Sequence, residues 1–89
     1  MRAIVSVIGK DTVGILAEVS RECAAHNANI LDVTQSVMQD MFTMIMLIDL
    51  TDISSDFASI SSDLECLGER IGMKIHVMHE DIFNSMHRI

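Results

Sequence analysis

The stretch Gly9-Lys10-Asp11-Thr12-Val13-Gly14-Ile15-Leu16 has the residue types to hold a small zwitterion. A glycine where a helix begins lets a ligand approach the backbone, because no Cβ stands in the way. The amides of Gly14, Ile15 and Leu16 would then be helix-start donors in want of an acceptor, and such donors attract a carboxylate. Asp11 offers a negative charge for an ammonium group. Asn29, further along, can donate and accept hydrogen bonds at once. A carboxylate cradle beside an ammonium anchor is what recognition of an amino acid requires. A purely structural reading of these residues stays open: Asp11 caps a helix, Gly14 relieves packing and Asn29 ends the helix.

The other reactive residues suggest no second site. His76 and His79, with His87, invite a metal. Residues three apart on a strand point to opposite faces, so His76 and His79 are poorly placed to chelate one ion, and no metal is expected. Cys23 falls on a helical apolar stripe and reads as core, whereas Cys66 reads as exposed or interfacial. Asp49, Asp52, Asp56 and Asp63 read as a solvated rim with helix-start charges. No nucleophile–base constellation assembles, so neither a catalytic residue nor a cofactor is expected.

The elements that must position the loop are legible from periodicity. Arg2–Ile8 is apolar and β-branched, a strand that Gly9 should end. A helix capped by Asp11 or Thr12 should follow, with Ile15, Val19 and Cys23 as its buried stripe and Leu16 alongside. Asn27 and Asn29 tolerate left-handed φ and suit the helix end. Ile30–Gln39 alternates as a strand, with Leu31, Val33 and Val37 on one face and Asp32, Thr34 and Ser36 on the other. Gln39-Asp40 should form a hairpin turn into a third strand, Met41–Leu50.

Thr51–Ser55 supplies cap residues for a second helix with the stripe Phe57, Ile60, Leu64, Leu67 and Ile71, stopped by Gly72. Met73–His79 reads as a fourth strand, and Ile82, Phe83 and Met86 lie at helical spacing in the tail. Right-handed crossovers turn the order βαββαβ into an α+β, ferredoxin-like sandwich. It has a four-stranded antiparallel sheet, two helices on one face and a short C-terminal helix. Residues 1–89 should form one domain.

Composition narrows the function classes. The net charge is −7, and the six Lys and Arg residues are scattered, which argues against direct nucleic-acid binding and against an anionic membrane surface. Two cysteines make no disulfide framework, and no apolar run reaches the roughly 18–20 residues of a membrane helix. The start, Met1–Gly9, has too short an apolar stretch for a signal peptide, so a cytoplasmic protein is the expectation. The chain is nonetheless 49% apolar.

Met41, Thr43, Ile45 and Leu47 would occupy one face of the third strand, and Phe42, Met44, Met46 and Ile48 the other. Both faces want burial, which predicts a homodimer or higher homo-oligomer. Methionines filling an irregular core are the plainer explanation.

Many functions share this topology. An acylphosphatase needs a cationic phosphate cradle in the first strand–helix loop, and this loop has no arginine. A metallochaperone needs a Cys-x-x-Cys there, and an RNA-recognition sheet needs stacking aromatics where this one offers only Phe42. A binding module remains.

The segments Gly9-Lys10-Asp11-x-x-Gly14-Ile15-Leu16 and Asn27-Ala28-Asn29-Ile30-x-Asp32 resemble the ACT domain. The tail, Met78-His79-Glu80-Asp81-Ile82-Phe83-Asn84-x-Met86-His87-Arg88-Ile89, is similar to that of small free-standing ACT proteins related to the glycine cleavage system repressor. The resemblance implies a regulatory domain, not an enzyme, with an amino-acid site at a subunit interface. Asp11, Gly14, Ile15, Leu16, Asn29 and Ile30 are the positions that would line it. It implies homodimerisation and output through a protein partner. The alternative is a ligand-free protein–protein interaction module.

Overall fold

The computed structural model describes residues 1–86, so His87 and the last residues of the tail lie outside the described residues. The elements run β1 (Arg2–Lys10), α1 (Ile15–Ala25), β2 (Asn29–Met38), β3 (Met41–Asp49), α2 (Phe57–Ile71), β4 (Met73–His79) and α3 (Glu80–Met86). The strands form one antiparallel sheet in the order β2-β3-β1-β4. This is the expected ferredoxin-like arrangement with its short C-terminal helix.

Alternation sorts the strands into two faces. Ala3, Val5 and Val7 of β1 pair with Ile48, Met46 and Met44 of β3, and with His79, Val77 and Ile75 of β4. Apart from His79 at the rim, these residues are buried with Val19, Cys23, Ile60, Leu64 and Leu67 of the helices. The opposite face carries Ile4, Ser6 and Ile8 of β1 beside Leu47, Ile45 and Thr43 of β3 and Met78, His76 and Lys74 of β4. In one chain this face is only partly covered, with Ile45 36% exposed and Ile8 42%. The two-faced apolar pattern of the third strand therefore resolves into one core face and one open face.

Local expectations need correcting where tertiary contacts intervene. Gly9 does not end β1, which continues to Lys10. A Cβ at Gly9 would sit 2.9 Å from the Gly72 carbonyl oxygen and 2.7 Å from Met73 Sδ, so the glycine permits close strand packing. The residue before α1 is Gly14, not Asp11 or Thr12, and α2 is capped by Asp56, just beyond the predicted Thr51–Ser55 set. Leu16, placed beside the buried stripe, is 38% exposed.

The alternation in β2 is broken by a bulge between Ile30 and Asp32. Ile30 and Val33 both pack against the core, whereas Leu31 and Val37, expected to share Val33's face, are exposed. Gln39 takes φ 59° in the predicted hairpin turn, and Asn27 takes φ 60° after α1.

Candidate functional site

The loop from Asp11 to Gly14 is exposed along its whole length, and the Asp11 amide ties it to the hairpin by donating to the Asp40 carbonyl at 2.8 Å. Gly14 adopts φ 91°, and a Cβ built there would meet nothing within 4 Å. Torsion, not crowding, therefore asks for glycine at this position. No side chain caps α1. Its first helical bond runs from the Glu18 amide to the Gly14 carbonyl at 3.0 Å. The amides of Ile15, Leu16 and Ala17 precede that bond and carry the partial positive charge of the helix start. The Ile15 side chain is 4% exposed and belongs to the core, so Ile15 can offer a ligand only its amide.

Asn29 is exposed at the first position of β2, and Ile30 beside it is half-buried. The register places both far from the loop. Asn29 pairs with Asp49, and Asp49 also pairs with Arg2, the first residue of β1. Lys10, at the other end of β1, pairs with Met41. The eight steps from Arg2 to Lys10 span roughly 26 Å at about 3.3 Å per residue. Asp11, Gly14, Ile15 and Leu16 thus gather at one end of the sheet, and Asn29 and Ile30 stand at the other. One chain does not bring the six candidates together.

Shallow clefts mark both ends. One of about 210 Å3 is lined by Gly9, Lys10, Asp40 and Met41, and one of about 230 Å3 by Ala24, Asn27, Ala28 and Asn29. A larger cleft of about 310 Å3 runs along α2 and β4, past Glu65, Glu69, Lys74 and His76, and contains none of the six.

The Asn29 end is densely tied. Asn27 Nδ2 donates to the Asp52 carbonyl at 2.8 Å, and the Ser54 amide to the His26 carbonyl at 2.9 Å. Asp49 accepts from the Thr51 amide at 3.0 Å and from its hydroxyl at 2.6 Å, which holds the Asp49 carboxyl below its ordinary value. Asp56 accepts from the Ser59 amide at 2.8 Å, with the same effect. Arg2 binds Glu80 through two nitrogens, and this lowers the Glu80 carboxyl.

His26 is 8% exposed, the one buried polar residue among those described. Its Nδ1 lies 2.6 Å from Ser55 Oγ and its Nε2 2.8 Å from Asp63 Oδ2, with Glu22 Oε2 at 3.7 Å. The sequence pattern marks Asp63 as rim and singles out no role for His26. The available signal was the i, i+4 spacing of Glu22 and His26 at a helix end.

The remaining predicted residues stand apart. His79 Nδ1 accepts from the Asp81 amide at 3.2 Å, whereas His76 is exposed on the open sheet face. Cys23 is buried, and desolvation, helped by the Glu22 charge, pushes its thiol up to about 11. Cys66 is exposed. Among the described residues no helix is long and apolar enough to cross a membrane.

Residues 2–78 match the family model of the ACT domain, and the chain belongs to that family. A UPF0237 protein of Methanococcus maripaludis is 52% identical over 86 residues, covering 97% of this chain and 96% of its own. The solved structure of an ACT domain protein from Streptococcus pneumoniae superposes with a TM-score of 0.82 at 35% identity, covering 93% of each chain. A putative glycine cleavage system transcriptional repressor shares the fold, with a TM-score of 0.73 at 24% identity over 85% of this chain and 43% of that one. The ACT domain is a regulatory domain that generally binds small molecules, amino acids in particular.

Proposed function

We propose that residues 1–89 form one cytoplasmic ACT domain, a homodimeric amino-acid sensor with no catalytic residue of its own, whose output passes to a protein partner. The observation that carries this reading is the separation of the two half-sites. β1 and β2 are both antiparallel to β3, so they run in the same direction, and Asn29 starts β2 where β1 also starts. β2 is an edge strand, exposed over most of its length. Exposed edges are templates for pairing with another chain.

A two-fold axis normal to the sheet at this edge would pair two antiparallel β2 strands. It would carry the partner's Asn29 to the end where this chain holds Asp11 and the free amides of α1. Each dimer then has two sites, each made from the loop of one subunit and Asn29 of the other. The α1 amides take the carboxylate, Asp11 takes the ammonium, and the partner's Asn29 closes the site. Leu16 and Ile30 supply apolar wall.

Complementation between variants tests this arrangement. Ligand at about 100 times its Kd should add about 2.7 kcal/mol, or roughly 10–20 °C in Tm for a domain this small. The screen is a calorimetric or dye-based thermal-shift panel of the common amino acids. Asp11→Ala and Asn29→Ala should each abolish the shift. Refolding the two variants together should restore one site per mixed dimer, because one of its two loop–Asn29 pairs is intact. A flat response from a folded dimer overturns the sensor reading.

A second reading, a ligand-free interaction module, is favoured by the open sheet face, where Ile4, Ile8, Ile45 and Leu47 adjoin across β1 and β3. Under that reading Ile45→Lys disrupts assembly, whereas Asn29→Ala changes nothing.

A further inference from the structure

We propose that Glu22, His26 and Asp63 form a divalent-metal site of the zinc type, joining the end of α1 to α2. One ligand atom from each residue lies within 4.8 Å of the other two. Zinc–nitrogen and zinc–oxygen bonds of about 2.0–2.2 Å set tetrahedral ligands roughly 3.3 Å apart. The two separations from His26 Nε2, 2.8 Å to Asp63 and 3.7 Å to Glu22, bracket that spacing. An ion can enter with sub-ångström movements of two carboxylates, one of them 53% exposed.

Charge supports the same assignment. Two carboxylates converge on one ring nitrogen. Among the described residues, the His26 ring is the only basic side chain within salt-bridge distance of either. One proton on Nε2 serves Asp63 and leaves Glu22, at 3.7 Å, beyond hydrogen-bond reach. A divalent ion would satisfy both carboxylates and the nitrogen lone pair together.

The outer contacts fit as well. Ser55 Oγ, 2.6 Å from Nδ1, can accept a hydrogen bond from Nδ1–H, fixing the tautomer that leaves Nε2 free to ligate. Glu22 stands in the last turn of α1, His26 is the residue that caps that helix's C-terminus, and Asp63 stands on α2. A set of one imidazole and two carboxylates, without thiolate, suits zinc-like divalent ions over copper(I).

The test uses the full chain with Cys66→Ser, which removes the exposed thiol as a competing ligand. Zinc is titrated by calorimetry, and cobalt(II) is followed by its visible d–d absorption. The expected result is one ion per chain, a Tm raised by zinc and reversed by chelator, and a cobalt spectrum without thiolate bands. Glu22→Gln and Asp63→Asn, both at solvent-reached positions, should keep the fold and each weaken binding at least tenfold. Ser55→Ala should weaken it by about tenfold, as loss of an outer-shell partner does. His76→Ala should bind as the parent does. Absence of saturable binding, or parental affinity in both Glu22→Gln and Asp63→Asn, overturns the assignment.

Discussion

The two ends of the sheet are built differently. At the end where β1 finishes, the Asp11–Gly14 loop is exposed, α1 begins without a side-chain cap, and one main-chain bond from Asp11 to Asp40 ties the loop to the hairpin. At the end where β1 and β2 start, Asp49 holds Thr51, Asn27 holds Asp52, Arg2 holds Glu80, and His26 meets Ser55 and Asp63. α2 begins at this second end, and its cap is the side chain of Asp56. At the start of α2 the Asp56 carboxylate holds the Ser59 amide, whereas the start of α1 has no side-chain cap. Stability is thus concentrated where the chain needs a fixed frame, and polar capacity is left unspent where a binding loop would use it.

The largest expected effect comes from cutting the tied end. His26→Ala, studied in chelator, should cost on the order of 3 kcal/mol, because it removes a nearly buried ring together with its contacts to Ser55 and Asp63. Calorimetry of the variant would read this as a clear fall in Tm. A neutral result would mean that the tied end is no more constrained than the loop.

Gly14→Ala should cost less, about 1–2 kcal/mol, for holding a Cβ-bearing residue in the left-handed region. Gly14→Asn should recover part of that loss, since Asn tolerates the conformation and nothing lies within 4 Å to obstruct it. If both variants match the parent in chemical denaturation, the left-handed start of α1 is not a fixed feature.

Acid should loosen the two ends unequally. Asp49, Asp56 and Glu80 all belong to the tied end, and hydrogen bonds or a cation hold each below its ordinary value of 3.8, 3.8 or 4.5. A group whose folded pKa is depressed gives stability that is present above the unfolded value and lost as pH falls through the folded one. Tm should therefore decline as pH falls through and below that range. Replacing the three together by Asn, Asn and Gln should flatten the decline, and an unchanged slope would place the acid sensitivity elsewhere.

The smallest effect leaves global stability alone. In hydrogen exchange, the amides of Ile15, Leu16 and Ala17 should exchange faster than that of Ser59, which Asp56 holds at 2.8 Å. A saturating amino acid should slow the first three and leave Ser59 unchanged. Equal protection without ligand would erase the contrast between the two helix starts.

Much of the architecture was written in local pattern. Ile15, Val19 and Cys23 at one helical face, Ile60, Leu64 and Leu67 at another, and the alternation of β1 and β3 specify the elements and their order. Apolar side chains at period 2 or about 3.6 have few ways to leave water together. Left-handed positions were legible too, at Asn27 and Gly72, because a helix end favours residues that bear positive φ. The loop from Asp11 to Leu16 stood out for the same reason: its glycine spacing is a property of adjacent residues.

Tertiary structure alone decided what depends on distance through space. The bulge in β2 moved Ile30 to the core and left Leu31 outside, because pairing with Ile48 and Leu47 sets the register. Asp11 and Asn29 lie a full strand apart, since the direction of β2 is fixed by its pairing with β3. His26 gained its partners only when α2 folded back to bring Ser55 and Asp63 beside it. His76 and His79 are close only in sequence, whereas His26 meets Asp63 from 37 positions away. Periodicity is local and survives in the sequence; which ends and which polar groups meet is settled by the packing of the whole.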